Sequence, residues 1–548
     1  MVAIGAVRGF GGDVASYYSV TASIMKNPDV LQGEGVTFYV AGPPPAPQMS
    51  GIPYGYASAG EFLYGTPYPD AMNVPSSYAG VFGGDSDDLI QGTSASQIHI
   101  GGLGADDISG GAGGDTYVIA PGDGIDWIDE TNGDTSIDTL DMREIPLSRI
   151  SATKTDENLE LKSDTGDGVR LVGYFRPFEE DAHFESARFS DVTIGTPQDF
   201  RNMVADRQKG SGNVFGTKQR EDFEHTISRD GSYVIHDDHS GSSIPRGVLT
   251  FTDGSVGDVR FKNEISTSQN DLVIQEQGGD SIRIKDQHSL AQDTGVLTIA
   301  FSSGGVAQLD LQGIRSKAAD DMKLDGYVKS TRWTERLFHD ALVDKSYTID
   351  NDHAQGDPLE TFEILGASPS DVRFEYTGAA SASDFRMHFA DGSIVTILKG
   401  FEDPSASNSY GIAGVKFAND PAIASDDVAM SIADITAKVV ADNKPLGYIR
   451  GSQAGETIVY VPGDPSLTYY PGYGPDSYVD TIDMSAYVYS EVIITKKFNH
   501  LRVTLPTGQI IDIKKHYLNN SSVEQMIFSD GAGGTTVLNK DQINAAAG

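Results

Sequence analysis

The chain has 548 residues, with 78 acidic against 40 basic side chains, a formal charge of −38 and no cysteine. This excludes disulfides and thiolate metal sites, argues against nucleic acid or anionic membrane surfaces as partners, and favours multivalent cations. No apolar run reaches the roughly 18 residues of a membrane-spanning helix, and the length is enough for several hydrophobic cores.

Residues 1–80 read as an irregular N-terminal arm or cap. They are rich in Pro, Gly and Tyr (Pro43-Pro44-Pro45, PYGYASAGEFLYGTPYPD), show no clear period, and hold one short helical stretch at 13–25. Their tyrosines, among them Tyr17, Tyr54 and Tyr68, fit an assembly surface or packing against the chain beyond Val81. Arg8 breaks the first apolar run, so the opening segment does not read as a cleavable export signal.

From Val81 the chain repeats itself as four β-rich modules, 81–207, 208–324, 325–445 and 446–548. A turn-strand signature recurs as AGVFGG (79–84), GNVFGT (212–217), DGYVKS (325–330) and LGYIRG (446–451). A strand with an acidic loop recurs as DTYVIAPGDG (115–124), GSYVIHDDHSG (231–241), KSYTIDNDHAQGD (345–357) and ETIVYVPGDP (456–465). Period-two hairpins such as ENLELKSDTGDGVRLVGYF and closing strands such as SARFSD are present in each copy. Short linking helices come next: 196–207, with Thr196 as N-cap and Pro197 at the first helical position, then RSKAADDM, the run 426–442 and the terminal LNKDQINAAAG. The expected fold is mainly β, with a short parallel β-roll in the first of four tandem modules.

That roll is written in nonapeptides: GGDSDDLIQ, GTSASQIHI, GGLGADDIS and GGAGGDTYV, residues 83–118. Glycines at positions one, two and four allow positive φ and close backbone approach. Positions seven to nine make a very short strand with Ile90, Ile108 or Tyr117 facing inward. Two units form one coil, so units one and three share an edge, as do units two and four. Stacking then gathers carboxylates and turn carbonyls into an all-oxygen cage, which is calcium chemistry. Without the ion the carboxylates repel and the glycine turns lose much entropy on ordering, so the array is expected to fold only on calcium.

The array resembles the RTX family of calcium-binding β-rolls, whose repeat reads GGxGxDxUx. The modules around it resemble the repeat-associated domain found beside such arrays in secreted bacterial proteins. The leading site joins unit one (Asp88, with Asp85) to unit three (Gly102, Gly104, Asp106). A second joins unit three to Gly122, Asp123 and the nearby Asp126, and Asp115 is a candidate without an obvious partner. Thr93 and Gln97 replace Gly and Asp in unit two, so the edge shared by units two and four is expected to bind weakly or not at all. GTKQREDFEH, KSTRWTERLF and RGSQAGET keep the turn without the ligand spacing, which concentrates calcium in the first module.

Other constellations fail. His236-Asp237-Asp238-His239 reads as a solvated turn, and the EF-hand start at Asp350 has Gln355 and Thr361 at positions requiring glycine and glutamate. There is no HExxH, GxSxG or phosphate-binding P-loop. The resemblance implies type I secretion in an unfolded state and folding in extracellular calcium. Regular repeats without a catalytic constellation suit a non-enzymatic surface-layer, biofilm-matrix or adhesive component, self-associating or binding cell-surface glycan. The alternative is a secreted polysaccharide hydrolase or lyase, and a weaker one a toxin accessory.

Overall fold

Three residues are too few for a free strand, so each nonapeptide is held only by parallel neighbours 18 residues away in sequence. In the computed structural model Leu89–Gln91 pairs with Asp107–Ser109, placing Ile90 beside Ile108. Gly80–Asp85 pairs likewise with Ile98–Leu103. The residues described are 61–548 apart from 131–135, 177–183, 218, 237–246, 266–269, 289–295, 305–307, 332–335, 351–360, 378–383, 399–411, 419–426, 453–454, 473–478 and 519–521. The fold is mainly β, with α-helices among these residues at Pro197–Gln208, Leu311–Met322, Ile432–Asn443 and Lys540–Ala547.

The chain divides into two units, Met1–Phe200 and Arg201–Gly548. In the first, two seven-stranded sheets enclose the core. One runs Phe62–Tyr64, Gly80–Asp85, Ile98–Leu103, Thr116–Val118, Thr139–Met142, Ser186–Phe189, Thr193–Ile194. The other runs Ala71–Asn73, Leu89–Gln91, Asp107–Ser109, Ile125–Ile128, Gly168–Leu171, Asn158–Ser163, Ile150–Thr155. Ile90, Ile108 and Tyr117 are fully buried between them. Among the described residues the first strand is thus Phe62–Tyr64, ahead of the first glycine repeat and inside the segment read as an arm.

The second unit repeats one plan three times. A five-stranded sheet (Asn213–Phe215, Tyr233–His236, Ser281–Ile284, Asn270–Glu276, Val259–Ile265) faces a four-stranded one (Phe223–His225, Val248–Phe251, Thr298–Phe301, Gln308–Leu309). The same orders recur over 327–431 and 448–539, each around its own apolar cluster. The strands from Asp107 to Ile194 in the first unit share this plan too. The β-roll coils before Asp107 are thus an N-terminal extension of a unit that occurs four times.

This register corrects two sequence alignments. GNVFGT lies where ADDISGG lies, not where AGVFGG lies, because a shift of three nonapeptides preserves the pattern. DTYV and ETIV form the strands Thr116–Val118 and Thr457–Val459, whereas GSYV and KSYT correspond to Ile125–Ile128. Both strands of a coil start with similar polar-apolar alternation, so they read alike. The run 426–442 is also split: Val428–Ser431 pairs antiparallel with Gly414–Ala418, and the helix starts at Ile432. Ser431 makes the break, its hydroxyl and its N–H both donating to the Asp434 carboxylate.

Candidate metal centre

Each position-six carboxylate of the roll points along the coil axis and accepts from the coil before it. The Asp70 N–H donates to Asp88 Oδ1 (2.8 Å), the Asp88 N–H to Asp106 Oδ1 (2.7 Å), and the Asp106 N–H to Asp126 Oδ1 (3.1 Å). These bonds use one oxygen of each group. The second oxygens, Oδ2 of Asp88, Asp106 and Asp126, are buried without a hydrogen-bond partner. Asp106 and Asp126 are 0% exposed and Asp88 3%.

Backbone oxygens share the space. A Cβ on Gly83 would collide with both Asp88 Oδ2 and the Gly101 carbonyl, and one on Gly101 with Asp106 Oδ2. Only glycine leaves this cradle open. Gly102 and Gly104 have φ of 103° and 147°, and a Cβ on Gly102 would strike the Gly84 carbonyl.

The electrostatics are one-sided. Residues 81–130 hold ten Asp and Glu and no Lys or Arg. Burial, reinforced by Asp70, Asp87 and Asp85, raises the Asp88 carboxyl to about 6. Burial with Asp167, Asp106 and Glu144 raises Asp123 to about 7. Asp106 and Asp126 are raised as well, burial first and their neighbouring carboxylates second. A buried anionic row needs protons or a cation. The spare inward oxygens and glycine carbonyls fit a hard cation taking oxygen ligands, as calcium does.

The structure brings together most of the residues predicted for this edge. Asp88, Asp106 and Asp126 form its row, and the Gly104 N–H donates to the Asp123 carbonyl (2.8 Å). Asp123 Oδ2 accepts from the Ala120 N–H (2.7 Å), so its side chain closes its own loop. Asp85 is half-buried beside Leu103 and enters through its charge on Asp88. Two members carry no signal in the nonapeptide pattern. Asp70 belongs to the row although it lies in the segment that reads as an arm. Asp167 Oδ1 accepts from the Gly122 and Gly124 N–H groups (2.9 and 3.3 Å), the first contact spanning 45 residues.

On the opposite edge, unit two is closed without an ion. Gln97 Oε1 accepts from the Thr93 N–H (3.1 Å), while its amide nitrogen donates to the Pro75 and Tyr78 carbonyls (3.1 and 3.2 Å). A neutral NH₂ group stands against carbonyls there. Asp115, expected to lack partners, has them: its carboxylate lies with those of Glu130 and Asp138, ligand atoms all within 4.8 Å.

The later copies keep more of the frame than their spacing suggests. The Thr217 N–H and hydroxyl donate to Glu221 Oε1, and Ser452 does the same to Glu456 Oε1. A hydroxyl at position two and a glutamate at position six thus replace glycine and aspartate. His236 Nε2 meets Asn213 Oδ1 (3.1 Å), while Asp237, Asp238, His239 and residues 351–360 of the EF-hand-like run lie outside the described residues, and Thr361 opens the strand Thr361–Leu365. No helix among the described residues is long and apolar enough to cross a membrane. No protein-family model matches this sequence, and no curated protein matches it.

Proposed function

We propose that the chain is a secreted RTX-type calcium-binding protein without enzymatic activity, exported by a type I system and folding on calcium outside the cell. Its role is structural or adhesive, as a self-assembling surface-layer or biofilm-matrix component or a binder of cell-surface glycan. The observation that carries the calcium reading is the Asp88–Asp106–Asp126 row, with three buried oxygens that have no hydrogen-bond partner, that of Asp88 beside the Gly101 carbonyl, and no lysine or arginine in residues 81–130. Asp123, Asp85 and Asp167 add charge around it. The repeated plan of the remaining modules supports a scaffold, because near-identical units multiply a surface more readily than they build one active site.

The test is calcium titration of EDTA-stripped full-length chain, followed by far-UV circular dichroism and particle size. A gain of β structure confined to wild type and lost in Asp106→Asn is expected, with larger particles at millimolar calcium. Unchanged β structure would remove the calcium reading, and monomers throughout would remove assembly. Release of reducing ends or unsaturated sugars from acidic polysaccharides would establish the hydrolase or lyase alternative instead.

A further inference from the structure

The edge shared by units two and four carries a feature that the glycine repeat does not encode. Asp115 ends the repeat, Glu130 comes after the strand Ile125–Ile128, and Asp138 precedes Thr139–Met142. Parallel pairing of the strands brings the three together at exposures of 0, 9 and 8%. The Asp115 N–H donates to Asp138 Oδ1 (2.7 Å), and Asp115 Oδ1 accepts from the Gln97 N–H (2.7 Å). Asp115 Oδ2 is buried with no hydrogen-bond partner. His99 is fully buried alongside, its Nε2 3.7 Å from Asp115 Oδ1.

The fourth copy contains the same arrangement solved differently. There the Glu456 N–H donates to Asp480 Oδ1 (2.9 Å) and the Asp480 N–H to Glu524 Oε2 (2.9 Å). The first copy matches this, with the Asp138 N–H on Glu185 Oε2 (2.7 Å). In the fourth copy both Glu456 oxygens receive hydroxyl donors, Oε1 from Ser452 and Oε2 from Tyr469 (3.1 Å). At those two positions the first copy has Gly111 and Ile128, which offer no side-chain donor, and it adds Glu130 as a third carboxylate. Donors have been removed and negative charge added at one buried point. Such a change calls for a proton or a cation to neutralise it, and three converging carboxylates suit a divalent cation.

We propose that Asp115, Glu130 and Asp138 form a second divalent-cation site, on the opposite edge from the Asp88–Asp106–Asp126 row, binding calcium through side-chain carboxylates. It differs from the glycine-turn sites in taking two ligands from beyond the repeat, so it ties the last nonapeptide to the strands that come after it in the nine-strand unit. The proposal rests on the calcium reading only in the choice of ion.

Isothermal titration of the EDTA-stripped full-length chain with calcium chloride tests it, comparing wild type with Glu130→Gln, Asp138→Asn and Asp106→Asn. Glu130→Gln and Asp138→Asn are each expected to bind one equivalent fewer, while keeping the calcium-induced dichroism that Asp106→Asn loses. Asn at 138 still accepts the Asp115 N–H, and Gln at 130 alters no turn of the roll, so either variant alone can decide. Wild-type stoichiometry and affinities in either variant would overturn this site and leave the first row standing. No calcium bound by wild type would overturn both.

Discussion

The β-roll and the three later copies solve one electrostatic problem in opposite ways. In the later copies a loop aspartate accepts a nearby backbone N–H: Asp230 from Thr226, Asp344 from Asp340 and Asp464 from Val461, at 2.8–2.9 Å. Each then receives a lysine ammonium, from Lys209, Lys323 and Lys444, at 2.9 Å. Asp123 makes the same turn in the first copy through the Ala120 N–H, yet residues 81–130 supply no lysine. The later copies hold their cation covalently, on a side chain delivered by the end of a helix. On the calcium reading proposed above, the roll takes its cation from solution. Closely similar backbones can thus differ in ion dependence through a single kind of residue.

The largest expected consequence is selective collapse on chelation. In EDTA, backbone amides of 81–130 should exchange with solvent many times faster, while those in the described strands between 213 and 539 stay protected, as followed by hydrogen-exchange mass spectrometry. Equal loss of protection in both regions would remove the contrast. Next in size is removal of a built-in cation. Lys323 bridges Asp320 and Asp344 (2.8 and 2.9 Å) with its side chain 7% exposed. Lys323→Met leaves these carboxylates without their ammonium and should cost about 3 kcal/mol in urea unfolding. Part of that loss should return at millimolar calcium, since the vacated position has become roll-like. Stability equal to wild type would show that the ammonium is not what neutralises this copy.

How far the sequence discloses this contrast depends on the range of each interaction. The nonapeptide beat is local and repeats often, so the stacked coils, the inward Ile90, Ile108 and Tyr117, and the Asp88–Asp106 edge are all legible in it. Register between copies is not, because a slip by whole nonapeptides leaves the beat intact. Asp70 is hidden by a segment rich in Pro and Tyr, although it sits 18 residues before Asp88. Asp167, Glu130 and Asp138 come from parallel pairing over long separations, which no spacing rule announces. The lysines are invisible for a related reason: Lys209 and Asp230 are 21 residues apart and carry no motif. Gln97 reads from the sequence as a lost ligand, but its amide as a replacement donor emerges only from the Pro75 and Tyr78 carbonyls it meets.

The smallest effect expected is also the most discriminating, because its sign differs between the two regions. In the ion-free roll, burial raises Asp88 to about 6 and Asp123 to about 7, with Asp106 and Asp126 raised too. The folded roll therefore holds more protons than the unfolded chain between pH ~4 and these values, and its stability falls as pH rises through them. The third copy runs the other way. His339 is fully buried, and burial lowers its imidazole to about 4, against the opposing pull of Asp344. Its unfolded form takes up the proton first, so stability is lost as pH falls from ~6.5 towards 4. In EDTA, moving from pH 8 to pH 5.5 should then slow hydrogen exchange in 81–130, after correction for the intrinsic rate, and speed it in 338–397. With calcium present the roll's response should reverse, because protons and the ion compete for the same carboxylates. A common direction in both regions without calcium would mean that the roll's aspartates are not buried as a charged row, and the contrast between external and built-in cations would lose its basis.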